Sequence, residues 1–135
     1  MKNIIEKRYF EYPIAEVWKI ISDVSRTDWV PGVDSIVLEG DTRVFKFKGM
    51  GDLVEKILLL DNENHKLQYS AIKTDMPIKH HLATIKLDSE ESRTLFTWST
   101  EIDPEIFAEG ILNGMVTSLD ALQSNAKLNN LKIFP

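Results

Sequence analysis

Along this chain the spacing of apolar positions changes period more than once. Residues 2–10 alternate loosely and carry β-branched and aromatic side chains, which predicts a first strand. After Pro13, Val17, Ile20, Ile21 and Val24 stand at i, i+3, i+4 and i+7 with Trp18 beside them, the spacing of a short helix that Asp23 and Ser25 end. Ser25-Arg26-Thr27-Asp28 has the form of an N-cap followed by an acid three residues on, and so predicts a second, very short helix before Pro31-Gly32 stops it. From Val33 the pattern becomes that of strands. Six segments rich in Val, Ile, Leu, Phe and Tyr occupy 33–39, 42–48, 53–60, 66–73, 81–87 and 94–103, with Gly, Asp, Asn, Pro or Ser at the breaks. The connections, roughly two to seven residues, are too short for parallel crossovers, so neighbouring strands should be antiparallel.

The last quarter has the one sustained helical period. Phe107, Ile111, Met115, Leu119, Leu122 and Ala126 form a stripe that Ile106, Leu112 and Val116 widen, opposite Glu105, Glu109, Asn113, Thr117, Asp120 and Gln123. Asp103 suits an N-cap and Pro104 a first helical turn, so the helix is expected from Pro104 to about Asn129, roughly 33–39 Å long. Only a sheet built from the preceding strands can cover such a stripe. The expected fold is α+β: a curved seven-strand antiparallel sheet around a long C-terminal helix, with two short helices after the first strand. A sheet curved around a helix closes incompletely, which leaves room for a cavity. The tail, 129–135, either frays or packs Ile133 and Phe134 back onto the body.

Length and composition narrow the class. A chain of 135 residues is expected to be one domain, 1–135. It lacks Cys, which excludes disulfides and thiolate metal sites and suits a reducing compartment. It holds no apolar run of membrane-spanning length, and Glu6, Lys7 and Arg8 stand where a signal peptide would be apolar, so a cytoplasmic protein without an integral membrane segment is expected. A net charge of −5 argues against nucleic acid. The nearest basic stretch, Arg43 to Lys48, alternates its charges as a solvated strand face would. His80 and His81 project to opposite faces of a strand and cannot chelate one ion, and the only other His is His65, so no metal is expected. With no Gly-rich phosphate loop, nucleophile elbow or His–carboxylate–Ser pattern, no cofactor is expected either.

Several segments resemble the START/Bet v 1-like (SRPBCC) superfamily, in particular its polyketide cyclase/dehydrase-like branch. They are Pro13-Ile-Ala-Glu-Val-Trp18, Asp23 to Gly32 with Trp29 and Pro31, Glu55 to Asp61, Leu82 to Leu87, Arg93 to Ser99 and the final helix. The resemblance covers residues 2 to about 123 and implies the helix-grip fold. It supplies no shared catalytic set, since members include lipid carriers, hormone-binding proteins, cyclases and dehydratases.

Candidate site residues follow from which side chains alternation turns toward the helix. Phe45 and Phe47 share one face of their strand; Leu67, Tyr69 and Ala71 share another; His81 stands with Ala83, Ile85 and Leu87. Segment 94–103 has two possible faces: hydrophobicity favours Phe96, Trp98 and Ile102 inward, against Leu95, Thr97, Ser99 and Glu101, and a bulge near Pro104 would reverse part of this. Segment 53–60 is apolar on both faces except for Glu55 and Lys56, and here the resemblance to hormone-binding members implies Glu55 inward with Ile57 and Leu59. A buried carboxylate there needs a partner or water. The alternative is a surface Glu55 paired with Lys79 or Arg93, and for His81 the alternative is a strand end in water. The candidate ligand-binding set is Phe47, Glu55, Ile57, Tyr69, His81, Ala83, Trp98, Phe107, Ile111 and Met115, with no catalytic residue assigned. Gly49-Met50-Gly51 and residues 74–79 are candidate gates at the mouth. The expected partner is a small hydrophobic ligand, lipid or polyketide-like. The rival function is a cyclase or dehydratase with Glu55 and His81 as acid/base groups around a carbonyl. A partner-binding role for Trp29 and the mouth loops is a third reading, and the oligomeric state is open.

Overall fold

The computed structural model describes residues 1–124. Its elements are β1 (Lys2–Phe10), α1 (Ile14–Ile21), β2 (Val37–Glu39), β3 (Thr42–Phe47), β4 (Gly51–Asp61), β5 (Lys66–Thr74), β6 (His80–Glu90), β7 (Arg93–Asp103), a 3-10 turn (Glu105–Phe107) and α2 (Ala108–Ser124). The strands form one seven-stranded sheet in the order β1-β7-β6-β5-β4-β3-β2, antiparallel throughout. From β2 to β7 each strand pairs with its sequence neighbour, as the short connections require. β1 instead crosses to the far edge beside β7, with Lys2 opposite Ile102 and Phe10 opposite Thr94.

One face of the sheet carries the core. Along β7 burial alternates without a break, with Thr94, Phe96, Trp98, Thr100 and Ile102 buried. α1 buries Val17, Trp18, Ile20 and Ile21 against the same face, and α2 adds Met115, Ser118, Leu119 and Leu122. Side chains of this size stabilise by about 1.5–3 kcal/mol each when fully buried. Phe10 stacks at a tilt on Phe96, ring centroids 5.7 Å apart, and the Trp18 indole donates to Asn62 Oδ1 at 3.0 Å. Arg8 of β1 ties down α2 through Asp120 at 2.7 Å and Gln123 at 3.1 Å. No helix among the described residues is long and apolar enough to cross a membrane.

Four local expectations fail, each for a physical reason. The second short helix is absent, and the segment after α1 is a run of turns. The Ser25 N–H, which a capping box would pair with Asp28, donates instead to Asp23 Oδ1, as does the Ser25 hydroxyl, while the Arg26 guanidinium donates to Asp28 at 2.6 and 2.9 Å. β2 begins at Val37 rather than Val33, because Val33 is buried and its N–H is turned back onto the Val30 carbonyl. α2 starts at Ala108 and not at Pro104: Asp103 stays in β7 opposite His80, and Pro104 is extended at φ −73°, ψ 153°. Leu59 is 37% exposed instead of inward, since the β4–β5 register shifts between Ile57 and Leu59. The expectations for Ala126, Asn129, Ile133 and Phe134 lie outside the described residues.

Candidate functional site

Sheet and α2 do not close on one another completely. Between them lies a cavity of about 460 Å³. Its walls come from the inner face of β3 to β7, from the loop after α1, and from the 3-10 turn and α2 as far as Ser118. Phe47, Glu55, Tyr69, His81, Trp98, Phe107, Ile111 and Met115 all line it. Ile57 and Ala83 do not. Ala83 is only 1% exposed within the closed core, opposite Tyr69 on the neighbouring strand, and Ile57 is half-buried against that core beside the β4 bulge.

Other parts of the wall were not singled out by periodicity. Gly110, Gly114 and Ser118 place a strip of small side chains of α2 on the cavity, where a Cβ added to either glycine would meet nothing within 4 Å. Their spacing of four residues was the available signal. The two segments named as candidate gates also reach the wall, through Met50 of the β3–β4 turn and Met76 and Ile78 of the β5–β6 loop, with exposed Ile106. A Cβ on Gly51 would come within 2.5 Å of Asp75 Oδ2, so these two loops abut. Trp29 is buried, 7% exposed, against Phe96 and Trp98 with ring centroids 6.5 and 5.7 Å away, so its face is not offered to a partner.

Two pairs of opposite charge stand at the wall, Arg43 with Glu55 and Arg26 with Asp28. Arg43 and Glu55 face each other across β3 and β4, and the Arg43 Nε–H donates to Glu55 Oε1 at 2.8 Å. Arg43 also donates to the Val24 carbonyl at 3.1 Å and lies 4.6 Å above the Tyr69 ring. The partner of Glu55 is therefore Arg43, not Lys79 or Arg93. The solvated strand face expected for Arg43 to Lys48 does not hold for Arg43, which shares parity with Phe45 and Phe47 and so stands on the inner face. Burial raises the Glu55 pKa, with the Arg43 charge and hydrogen bond opposing. Burial, then the Glu55 charge, pushes up the Tyr69 phenol. The Trp98 indole N–H sits close enough to the Tyr69 oxygen to temper that rise, yet closes no hydrogen bond with it and has no other partner among the described residues.

His81 occupies a break in the sheet. β5 and β6 pair from Lys66 opposite Lys86 to Tyr69 opposite Ala83, and then the ladder stops. Beyond it the Ala71 N–H donates to His81 Nδ1 at 2.9 Å, and the Ser70 hydroxyl donates to the His81 carbonyl. A nitrogen that accepts from a backbone N–H is unprotonated, so the neutral ring carries its proton on Nε2. Burial, and next the neighbouring His80, pull the His81 pKa down from 6.5 to about 4, so the neutral form prevails at physiological pH. His80 points to the other face and meets Glu101 at 3.0 Å.

A sheet wrapped on a C-terminal helix around an apolar cavity with a few inward polar groups defines a helix-grip, Bet v 1-like protein. Residues 1–132 match the family described as polyketide cyclase/dehydrase and lipid transport, and the chain belongs to that family. Among functionally curated proteins none matches it. Among solved structures, it is similar to the protein XoxI from Bacillus cereus, with 21% identity, TM-score 0.84 and coverage of 92% of this chain and 94% of that one. It is similar also to the ZhuI aromatase/cyclase from a Streptomyces species, with 15% identity, TM-score 0.81 and 93% of each chain covered. Norcoclaurine synthase from Thalictrum flavum shares 19% identity at TM-score 0.73, over 90% of this chain and 91% of that one. At these identities the likeness is one of fold.

Proposed function

We propose that the protein binds a small, mostly apolar molecule, lipid or polyketide-like, between its sheet and α2, as a carrier or sensor. The observation that carries this reading is the cavity itself, whose roughly 460 Å³ falls in the range of about 300–1,000 Å³ usual for small-molecule sites. Aromatic and aliphatic side chains make most of its wall, and methionines at its edge adapt to irregular shapes. The family description, which pairs lipid transport with polyketide chemistry, supports the same class of ligand. A lack of cysteine fits a cytoplasmic setting for such a carrier.

The rival reading is a cyclase or dehydratase that uses Glu55 and His81 as acid and base. It is favoured by the presence of both groups in one cavity, with pKa values moved by burial. Against it, Glu55 is held by the Arg43 guanidinium, and the basic nitrogen of His81 is occupied by the Ala71 N–H. Binding therefore remains the first proposal. An apolar fluorescent probe should bind with micromolar affinity, about −8 kcal/mol, and Met115→Trp should weaken it by filling the cavity. Native mass spectrometry of protein purified from its host should show a retained lipid- or polyketide-sized mass. Absence of probe binding by the folded protein would remove the proposal.

A further inference from the structure

Tyr69 and His81 lie side by side on the cavity wall, from β5 and β6, with ring centroids 6.1 Å apart. Each brings a donor that is not used among the described residues. The His81 proton is on Nε2, because Nδ1 is committed to the Ala71 N–H, and Nε2 has no partner among the described residues. The Tyr69 hydroxyl donates to no acceptor among them, and the Trp98 indole N–H faces its oxygen, which leaves the phenol to act as a donor. Tyr69 is more than nine-tenths buried, so its proton can be met only from the cavity side.

We propose that the Tyr69 hydroxyl and the His81 Nε2–H together clamp one neutral acceptor oxygen of the ligand, a ketone, ester or ether oxygen on an otherwise apolar body. This rests on the cavity's being a ligand site. Two donors side by side suit an oxygen with two lone pairs and give no place to a hydroxyl that must itself donate. The surrounding charges select against an anion. Arg43 is neutralised by Glu55, Arg26 by Asp28, and the Glu55 charge is felt at the Tyr69 oxygen itself. A carboxylate placed there would lose its hydration without meeting an unpaired cation of the wall among the described residues.

Three ligands of one shape separate the possibilities by calorimetry near neutral pH: 2-acetylnaphthalene, its alkene isostere 2-isopropenylnaphthalene, and 2-naphthoate. The ketone should bind about five- to tenfold tighter than the alkene, the gain of a satisfied buried donor pair, and tighter than the carboxylate. Tyr69→Phe keeps the ring under Arg43 and should lower ketone affinity about fivefold while leaving the alkene unchanged. In the wild-type protein the carbonyl stretch of the bound, carbon-13-labelled ketone should fall below its frequency in an aprotic solvent, a readout that needs no variant to fold. Equal affinity for ketone and alkene, or an unshifted carbonyl stretch, overturns the clamp and leaves the cavity reading intact. Tightest binding of the carboxylate overturns its selectivity for neutral oxygen. If none of the three binds, both readings fall.

Discussion

Arg43 and Glu55, opposite one another on β3 and β4, form an ion pair at 2.8 Å whose side chains are only 14% and 11% exposed. The guanidinium is held from three sides at once, by this carboxylate, by the Val24 carbonyl and by the Tyr69 ring. This pair lets two ionisable groups stand on a cavity wall without an uncompensated charge. It also joins the loop after α1 to the sheet.

Removal of one partner should cost far more than removal of both. Arg43→Met leaves Glu55 buried beside no cation and should destabilise the protein by about 3–5 kcal/mol near neutral pH. Arg43→Met combined with Glu55→Leu should recover most of that loss, because no charge is left to desolvate. Urea unfolding of the two variants checks the order, and a double variant less stable than Arg43→Met would contradict it.

Protonation of His81 should weaken the fold in acid. Its folded pKa, about 4, lies below the ordinary 6.5, so the unfolded chain takes up the proton first as pH falls. The His81 contribution is therefore complete above pH 6.5, declines between 6.5 and about 4, and is level below that. The span is worth up to about 3 kcal/mol. Glu55 acts in the opposite sense, since its pKa is raised and protonation is easier in the folded state. The difference in urea midpoint between wild type and His81→Gln, followed from pH 7 to 4, isolates the histidine. A constant difference across that range would refute its assignment.

Gly32 should not tolerate a side chain. Its φ is +95°, and a Cβ would lie 3.1 Å from the Phe47 ring, which lines the cavity. Gly32→Ala combines backbone strain with displacement of that ring and should cost about 1–3 kcal/mol. Probe binding should change along with stability. A purely local effect would leave the cavity's affinity untouched.

Gly114 should behave in the reverse way. It sits inside α2, its added Cβ would enter open space, and it lines the cavity. Gly114→Ala should raise stability by about 0.5–1 kcal/mol through helix propensity. Gly114→Phe should keep a folded protein but exclude the apolar probe. A thermal melt and a probe titration on the pair test both halves.

How much of this was present in the chain itself depends on the range of the forces involved. The antiparallel order from β2 to β7 was legible because connections of a few residues leave those strands no other neighbour, and α2 because its apolar period exceeds what any single strand can cover, whereas the place of β1 beside β7 was not encoded by any short connection. Parity alone placed Phe47, Tyr69 and His81 on one face, and it held the burial of β7 without a break from Thr94 to Ile102. Hydrophobicity was less informative on β4, where both faces are apolar.

The tertiary structure decided what local pattern cannot encode. The β4 bulge turned Leu59 outward while Leu53 and Glu55 stayed buried, a shift that depends on how β5 takes up its register. The partner of Glu55 came from a cross-strand register, twelve residues back in sequence. Where a capping box was expected, the Ser25 N–H donates to Asp23 and the Arg26 guanidinium to Asp28, pairings that the spacing of Ser25 and Asp28 does not encode. His81 acquired its tautomer only because β5 and β6 part beyond Tyr69 and expose the Ala71 N–H to its ring. Periodicity is set by the backbone of each element and survives in the sequence. Pairings and cavity walls arise between elements, and only their packing determines them.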